Sequence, residues 1–204
     1  MTLERIVLWR HGQSEHNAEG RWQGQLDTML TELGWSQARN AVPSLARYEP
    51  SLIVASDLRR SVDTATVFAA ATGIPMRIDK RLRETSFGQW QGLMVTEVEK
   101  QWPGVVPTWR VDPTFTPPGG ESRVDVAARA VEVVAELDAE LSGTVLLCAH
   151  GGLITALASR LLDLPLELWP LLRRTDNCHW AVLTRRPGPD RRWGFSGYNV
   201  GLLA

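Results

Sequence analysis

Apolar residues gather in three short runs along the chain, "RIVLW" from Arg5, "SLIVAS" from Ser51 and "TVLLCA" from Thr144, each rich in Val, Ile or Leu and each followed by polar or glycine positions. Unbroken apolar runs of this length are what interior strands of a parallel sheet show when both faces are covered. Between them the spacing becomes helical. "LTELGWSQARNAVPSLARY" carries Thr31 as a cap and Pro43 as a residue that should kink or shorten it, and "DLRRSVDTATVFAAATG" starts at Asp57 and stops at Gly73. "ESRVDVAARAVEVVAELDAELSG" and, after His150, "GGLITALASRLLDLP" complete the helical set. "HWAVLTRR" and "RRWGFSGYN" around "PGPD" read as a terminal hairpin. The alternation predicts an α/β three-layer sandwich with a mostly parallel central sheet, in one domain spanning residues 1–204. "WPGVVPTWRVDPTFTPPGG", Trp102 to Gly120, has little periodicity and many Pro and aromatic residues, so it reads as a long ordered loop over one face. Open α/β sheets bind ligands beyond the carboxyl ends of their strands. Arg10, His11, Ser56 and His150 all fall there.

Composition narrows the function classes. The 204 residues are 44% hydrophobic, enough for a sizeable core, and the formal charge of -1 argues against a nucleic-acid or anionic-membrane binder driven by net charge. An anion site must be local. Lys80 and Lys100 are the only lysines, so basic recognition falls to arginine, whose planar fork suits phosphate and carboxylate. Cys148 and Cys178 cannot form a disulfide framework, the start has no leader-like apolar run, and "TVLLCAHGGLITALAS" is too short for a span, so the expectation is a soluble cytoplasmic protein.

Three strand ends carry groups that handle phosphate: "RHG", "SDLRRSVDTA" and "AHGG". Of four histidines, only His11 and His150 follow an apolar strand and precede Gly, where the backbone can approach a ligand closely. In this order, "RHGQSEHN", "GRWQGQLDTMLTELGWSQA", "SDLRRSVDTA", "LRETSFGQWQGL", "GGES" and "AHGG" resemble the histidine phosphatase superfamily, also called phosphoglycerate mutase-like. The resemblance implies that His11 accepts the phosphoryl group, that Arg10, Asn17, Arg60 and His150 surround it, and that Glu84 is the acid/base carboxylate. It places Gln23 and Gly151 at the substrate and, by spacing to "TA", selects Arg60 over Arg59. "RWQGQLDT", "GGESRVDVAAR" and "LPLELWP" resemble a branch that dephosphorylates a glucosylated phosphoglycerate. The alternatives are a phosphatase of broader specificity on phosphorylated sugars or acids and, third, a cofactor-dependent mutase, which the short stretch from Glu84 to His150 and "FG" in place of "YG" disfavour. A phosphate-sensing module from another class would have no need of a nucleophile.

The chemistry of these residue types agrees. Phosphoryl transfer is catalysed by positioning and electrostatics, which two Arg, a protonated His and an Asn amide supply without a metal or cofactor. His11 must be neutral to attack, whereas His150 beside a phosphate dianion should favour its charged form. Gln23, Arg83 and Arg123 are candidates for the rest of the substrate, and the Trp102 to Gly120 segment for a lid. The nine tryptophans are mainly packing residues, with Trp90, Trp102 and Trp109 as candidate pocket walls. The cysteines lack zinc-ligand spacing, and no nucleotide fingerprint occurs. A small phosphorylated substrate is the expected partner, with no nucleic acid and no membrane; pairing into a homodimer is left open.

Overall fold

The computed structural model describes residues 2–188, 190 and 192–201. Its elements in chain order are β1 (Leu3–Arg10), α1 (Glu15–Glu19), α2 (Glu32–Ala46), β2 (Leu52–Ala55), α3 (Arg59–Thr72), β3 (Met76–Ile78), α4 (Val95–Gln101), α5 (Val105–Val111), α6 (Arg123–Glu140), β4 (Gly143–Ala149), α7 (Gly151–Leu161), β5 (Trp180–Arg185) and β6 (Trp193–Val200). Short 3₁₀ turns lie at Lys80–Leu82, Gly88–Trp90 and Leu166–Leu171. One six-stranded sheet runs β3-β2-β4-β1-β5-β6. β3, β2, β4 and β1 are mutually parallel, and β5 and β6 add an antiparallel hairpin at one edge. The expected mostly parallel sheet and terminal hairpin are both present; Pro189 of its "PGPD" turn lies outside the described residues.

Both faces of the central strands β1, β2 and β4 are buried, which is why they read as apolar runs. Ile6, Leu8, Val54, Val145 and Leu147 pack on α6 and α7, while Val7, Trp9, Ile53, Leu146 and Cys148 pack on α2 and α3. The register fixes the site. Arg10 pairs with Ala149 and Ala55 with Cys148, so β1, β2 and β4 end level. The first residues beyond them, His11, Ser56 and His150, emerge side by side, with His11 N–H on the Ala149 carbonyl at 3.0 Å and Ser56 N–H on Cys148 at 3.0 Å.

Several expectations are corrected. α3 starts at Arg59 rather than Asp57, with Leu58 as an N-cap that makes no side-chain bond; the Asp57 carboxylate instead accepts from the Arg83 fork, at 2.8 Å and 2.7 Å. That pairing also holds the Asp57 carboxyl below its ordinary range. α2 runs through Pro43 and stops at Ala46; the carbonyl left without its partner is that of exposed Arg39, where water can serve it. Trp102 to Gly120 is not all loop, because α5 lies inside it. With Pro107 in its first turn, where a missing N–H costs nothing, α5 is too short to show a period. α4 and α5 carry a separate aromatic cluster of Phe87, Trp90, Val98 and Val106, packed with Trp22, Trp102, Trp109 and Phe115. No helix among the described residues is long and apolar enough to cross a membrane.

Candidate active site

His11 and Arg60 define the centre. The His11 ring is buried, and its Nδ1 lies 2.7 Å from the Gly12 carbonyl, which can only accept, so Nδ1 carries the hydrogen and Nε2 keeps its lone pair. Arg60 Nε–H points at that lone pair from 3.3 Å. Burial, then the Arg60 and Arg10 charges, hold the imidazole well below the usual histidine range, so the ring is neutral and nucleophilic at neutral pH. Arg60 itself is fully buried in α3, with its other two nitrogens on the Leu26 and Gly24 carbonyls at 2.8 Å and 2.7 Å. Arg10 Nη1 donates to the Thr175 carbonyl at 2.6 Å, and its buried Nε has no partner among the described residues. Burial is the main reason both guanidinium groups are less basic than usual, Arg10 at about 9 and Arg60 at about 10, with Arg174 adding to the effect on Arg10.

His150 is the N-cap residue of α7, its ring centroid 5.1 Å from that of His11. Ser56 Oγ lies 2.9 Å from His150 Nε2 and accepts from Leu58 N–H, while His150 Nδ1 is a buried ring nitrogen with no partner among the described residues. The protein's own groups alone push His150 too well below the ordinary range, by burial, then by Arg60, His11 and Arg10. Charging it requires the field of a dianion to outweigh those cations.

Glu84 is no surface carboxylate paired with Arg81 or Arg83. It is 8% exposed, and backbone N–H groups grip it: Thr85 and Leu153 on one oxygen and Gly152 on the other, each at 2.9 Å. The first turn of α7 thus receives the carboxylate, favourably placed at the positive end of the helix. Gly152 makes this approach possible, since a Cβ there would stand 2.5 Å from Glu84 Oε1. Arg129, bound to Glu121 at 2.9 Å, holds the Glu84 carbonyl at 3.0 Å. Asn17 closes the capping box of α1, its Oδ1 accepting from Ser14 N–H and from Asn177, so its amide donors remain for a ligand.

A cleft of about 650 Å³ brings together Arg10, His11, Asn17, Gln23, Glu84 and Gly152, with Trp22, Phe87 and Trp109 as an aromatic wall. His150, Arg60 and Gly151 support its floor from inside the fold; they are buried. Gln23 Oε1 is engaged by Ser14 Oγ at 2.7 Å and by Thr28. Arg83 is not in the cleft, because Asp57 holds it. Arg123 is, but it lies over the Trp109 ring, 5.2 Å from its centroid, and donates to the Trp109 carbonyl. Trp90 and Trp102 sit behind the wall rather than in it. Sequence reasoning missed Arg173, Arg174 and Asn177, which come in on the connection between the 3₁₀ turn at Leu166–Leu171 and β5; only the paired arginines in "RRTDN" gave a signal. Among the described residues no three His, Cys, Asp or Glu side chains are grouped so as to hold a metal ion.

Known proteins share the sequence and the fold. The chain is 46% identical over 214 residues to glucosyl-3-phosphoglycerate phosphatase of Mycobacterium tuberculosis, covering 98% of this chain and 96% of that protein. It is likewise 46% identical over 216 residues to the protein of that name from Mycolicibacterium vanbaalenii. The structure of mycobacterial glucosyl-3-phosphoglycerate phosphatase in complex with VO3 superposes with a TM-score of 0.92 at 47% identity, over 97% of this chain and 100% of that one. The profile of the histidine phosphatase superfamily (branch 1) matches residues 6–198, and with this agreement of sequence and fold the chain belongs to that superfamily.

Proposed function

We propose that the protein is a single-domain cytosolic phosphomonoesterase that works through a phosphohistidine on His11. The observation that carries this reading is the neutral imidazole with its Nε2 lone pair turned away from the Gly12 carbonyl and toward Arg60, close to two buried nitrogens without a partner among the described residues, Arg10 Nε and His150 Nδ1. Nε2 attacks phosphorus as the P–O ester bond breaks, and the leaving alkoxide takes a proton from the Glu84 carboxyl. Water then attacks the phosphohistidine and gives its proton to Glu84, which restores the carboxyl group and frees phosphate and His11. Arg10, Arg60, Asn17 and His150 stabilise the charge spread over the equatorial oxygens, at no cost of reorganisation because the fold already holds them. The buried free thiols Cys148 and Cys178 fit a reducing compartment.

The substrate is inferred from the relatives: near full-length similarity to glucosyl-3-phosphoglycerate phosphatases supports glucosyl-3-phosphoglycerate, released as glucosylglycerate and phosphate. The cleft has room well beyond a phosphate, and its aromatic wall offers apolar faces for a sugar ring. Phosphate release measured across a panel of phosphomonoesters tests this. The glucosylated ester should give the highest kcat/KM, because remote binding energy is expressed in the transition state. Equal values across the panel would make the enzyme a broad-specificity phosphatase, and faster interconversion of 2- and 3-phosphoglycerate than phosphate release would make it a mutase.

A further inference from the structure

The cleft is lined by six arginines, Arg10, Arg21, Arg110, Arg123, Arg173 and Arg174, and by a single carboxylate, Glu84. In a chain of net charge -1 that is a local excess of positive charge, and it exceeds what one phosphate group needs. Some of it is already engaged: Arg21 binds Glu19 and the Gly92 carbonyl, and Arg123 binds Trp109. The guanidinium groups of Arg110, Arg173 and Arg174 make no hydrogen bond or ion pair among the described residues.

Arg174 stands apart by its placement. Its methylenes lie on the first residue of α7, where a Cβ at Gly151 would collide with Arg174 Cγ and Cδ and stand 3.4 Å from Arg10 Nε. The carbonyl of the next residue, Thr175, holds Arg10 Nη1 at 2.6 Å. Side chain and backbone both set Arg174 beside Arg10. Two cations so placed repel each other, and Arg174 is the charge that most lowers the basicity of Arg10. Such a pair is best satisfied by two anionic groups carried on one small molecule.

We propose that Arg174 is a specificity-determining residue that binds the carboxylate of the substrate's phosphoglycerate unit while Arg10 binds its phosphate. This rests on the phosphatase reading and deepens it. It replaces Arg83 in that role, and it explains why residue 151 is Gly: a side chain there would displace the arginine stem. A carboxylate offers the two-oxygen edge that a guanidinium fork matches, and a three-carbon acid is short enough to place it within reach of a cation lying against Arg10.

The test uses the full chain as wild type, Arg174→Gln and Arg174→Lys, with 3-phosphoglycerate and glycerol 3-phosphate as esters that differ in the carboxylate. The ratio of kcat/KM for the acid over the ester without a carboxylate should fall about tenfold or more in Arg174→Gln, the loss of one charge-assisted contact, with Arg174→Lys in between. Calorimetric binding of the same pair reads the same ratio without turnover, so the inference is decided even if wild type releases no phosphate, a result that would instead refute the phosphatase reading. An unchanged ratio, or equal losses on both esters, overturns the proposal; equal losses would assign Arg174 to the phosphate. A larger Arg174→Gln effect on 2,3-bisphosphoglycerate than on the monophosphorylated acid would also overturn it, making the second anion a phosphate.

Discussion

The inner and outer halves of the cleft are built on opposite principles. In the inner half, Arg60 and His150 are 0% exposed and His11 2%; Gly12 orients His11, Gly24 and Leu26 hold Arg60, Thr175 holds Arg10, and the Ser56 hydroxyl meets the His150 ring. In the outer half, the guanidinium groups of Arg110, Arg173 and Arg174 make no hydrogen bond or ion pair among the described residues. The contrast shows where each property is encoded. Groups that must meet a transition state are fixed by main chain that the sheet register fixes in turn, so their cost is met in folding. The outer arginines lack such bonds, so substitution there removes no hydrogen bond that the fold itself uses.

The comparison can be broken by substitution. The largest effect is expected from His11→Ala, which should reduce turnover at least about a thousandfold on every ester while leaving the protein folded. Arg60→Ala should lose about a hundredfold to a thousandfold in kcat, and should also lower Tm, because the Gly24 and Leu26 carbonyls lose their donors at a cost of about 1–3 kcal/mol each. Arg174→Gln, by contrast, should leave Tm unchanged. A Tm loss as large in Arg174→Gln as in Arg60→Ala would erase the distinction between the halves.

Glu84→Gln sharpens it from the acid/base side. Losing the titrating proton should slow alkyl phosphates about a hundredfold or more, and p-nitrophenyl phosphate, whose leaving group needs little protonation, far less. Equal losses would make Glu84 a positioning group. Gly152→Ala should act on the same carboxylate through crowding at Oε1, and so reproduce the leaving-group dependence more weakly.

The smallest expected effect is on stability against pH. His11 and His150 have folded pKa values well below the unfolded value of about 6.5, so as pH falls below that value the unfolded chain takes up protons that the native site refuses. Their contribution is therefore complete above about pH 6.5 and is lost progressively toward the depressed folded values. Tm of wild type should fall more steeply between about pH 7 and about pH 5 than Tm of a His11→Gln, His150→Gln double variant, and vanadate should flatten the difference. Parallel curves would mean the histidines are not held neutral.

Much of this was legible in the sequence where local pattern and tertiary role coincide. The interior strands β1, β2 and β4 announce themselves as apolar runs, and His11 and His150 stand out as the residues just past the ends of two of them. β3, with its partly exposed "MRI", is too short to leave a period, and α5 was hidden by the proline in its first turn. Asp57 reads as the start of a helix because Asp favours helix N-termini; only folding brings Arg83 to it. Arg174 lies far along the chain from Arg10 and joins it only because the connection before β5 crosses the strand ends. Residues whose role depends on such a crossing carry no local signature.

The central claim, covalent transfer to His11 Nε2, is tested most directly by rapid acid-free quenching of the enzyme during turnover of a phosphorus-labelled ester, with subsequent mapping of the label. Covalent transfer predicts a base-stable, acid-labile phosphoryl group on His11 in wild type and none in His11→Ala. Turnover at the wild-type rate by His11→Ala, or a label confined to another residue, would contradict it.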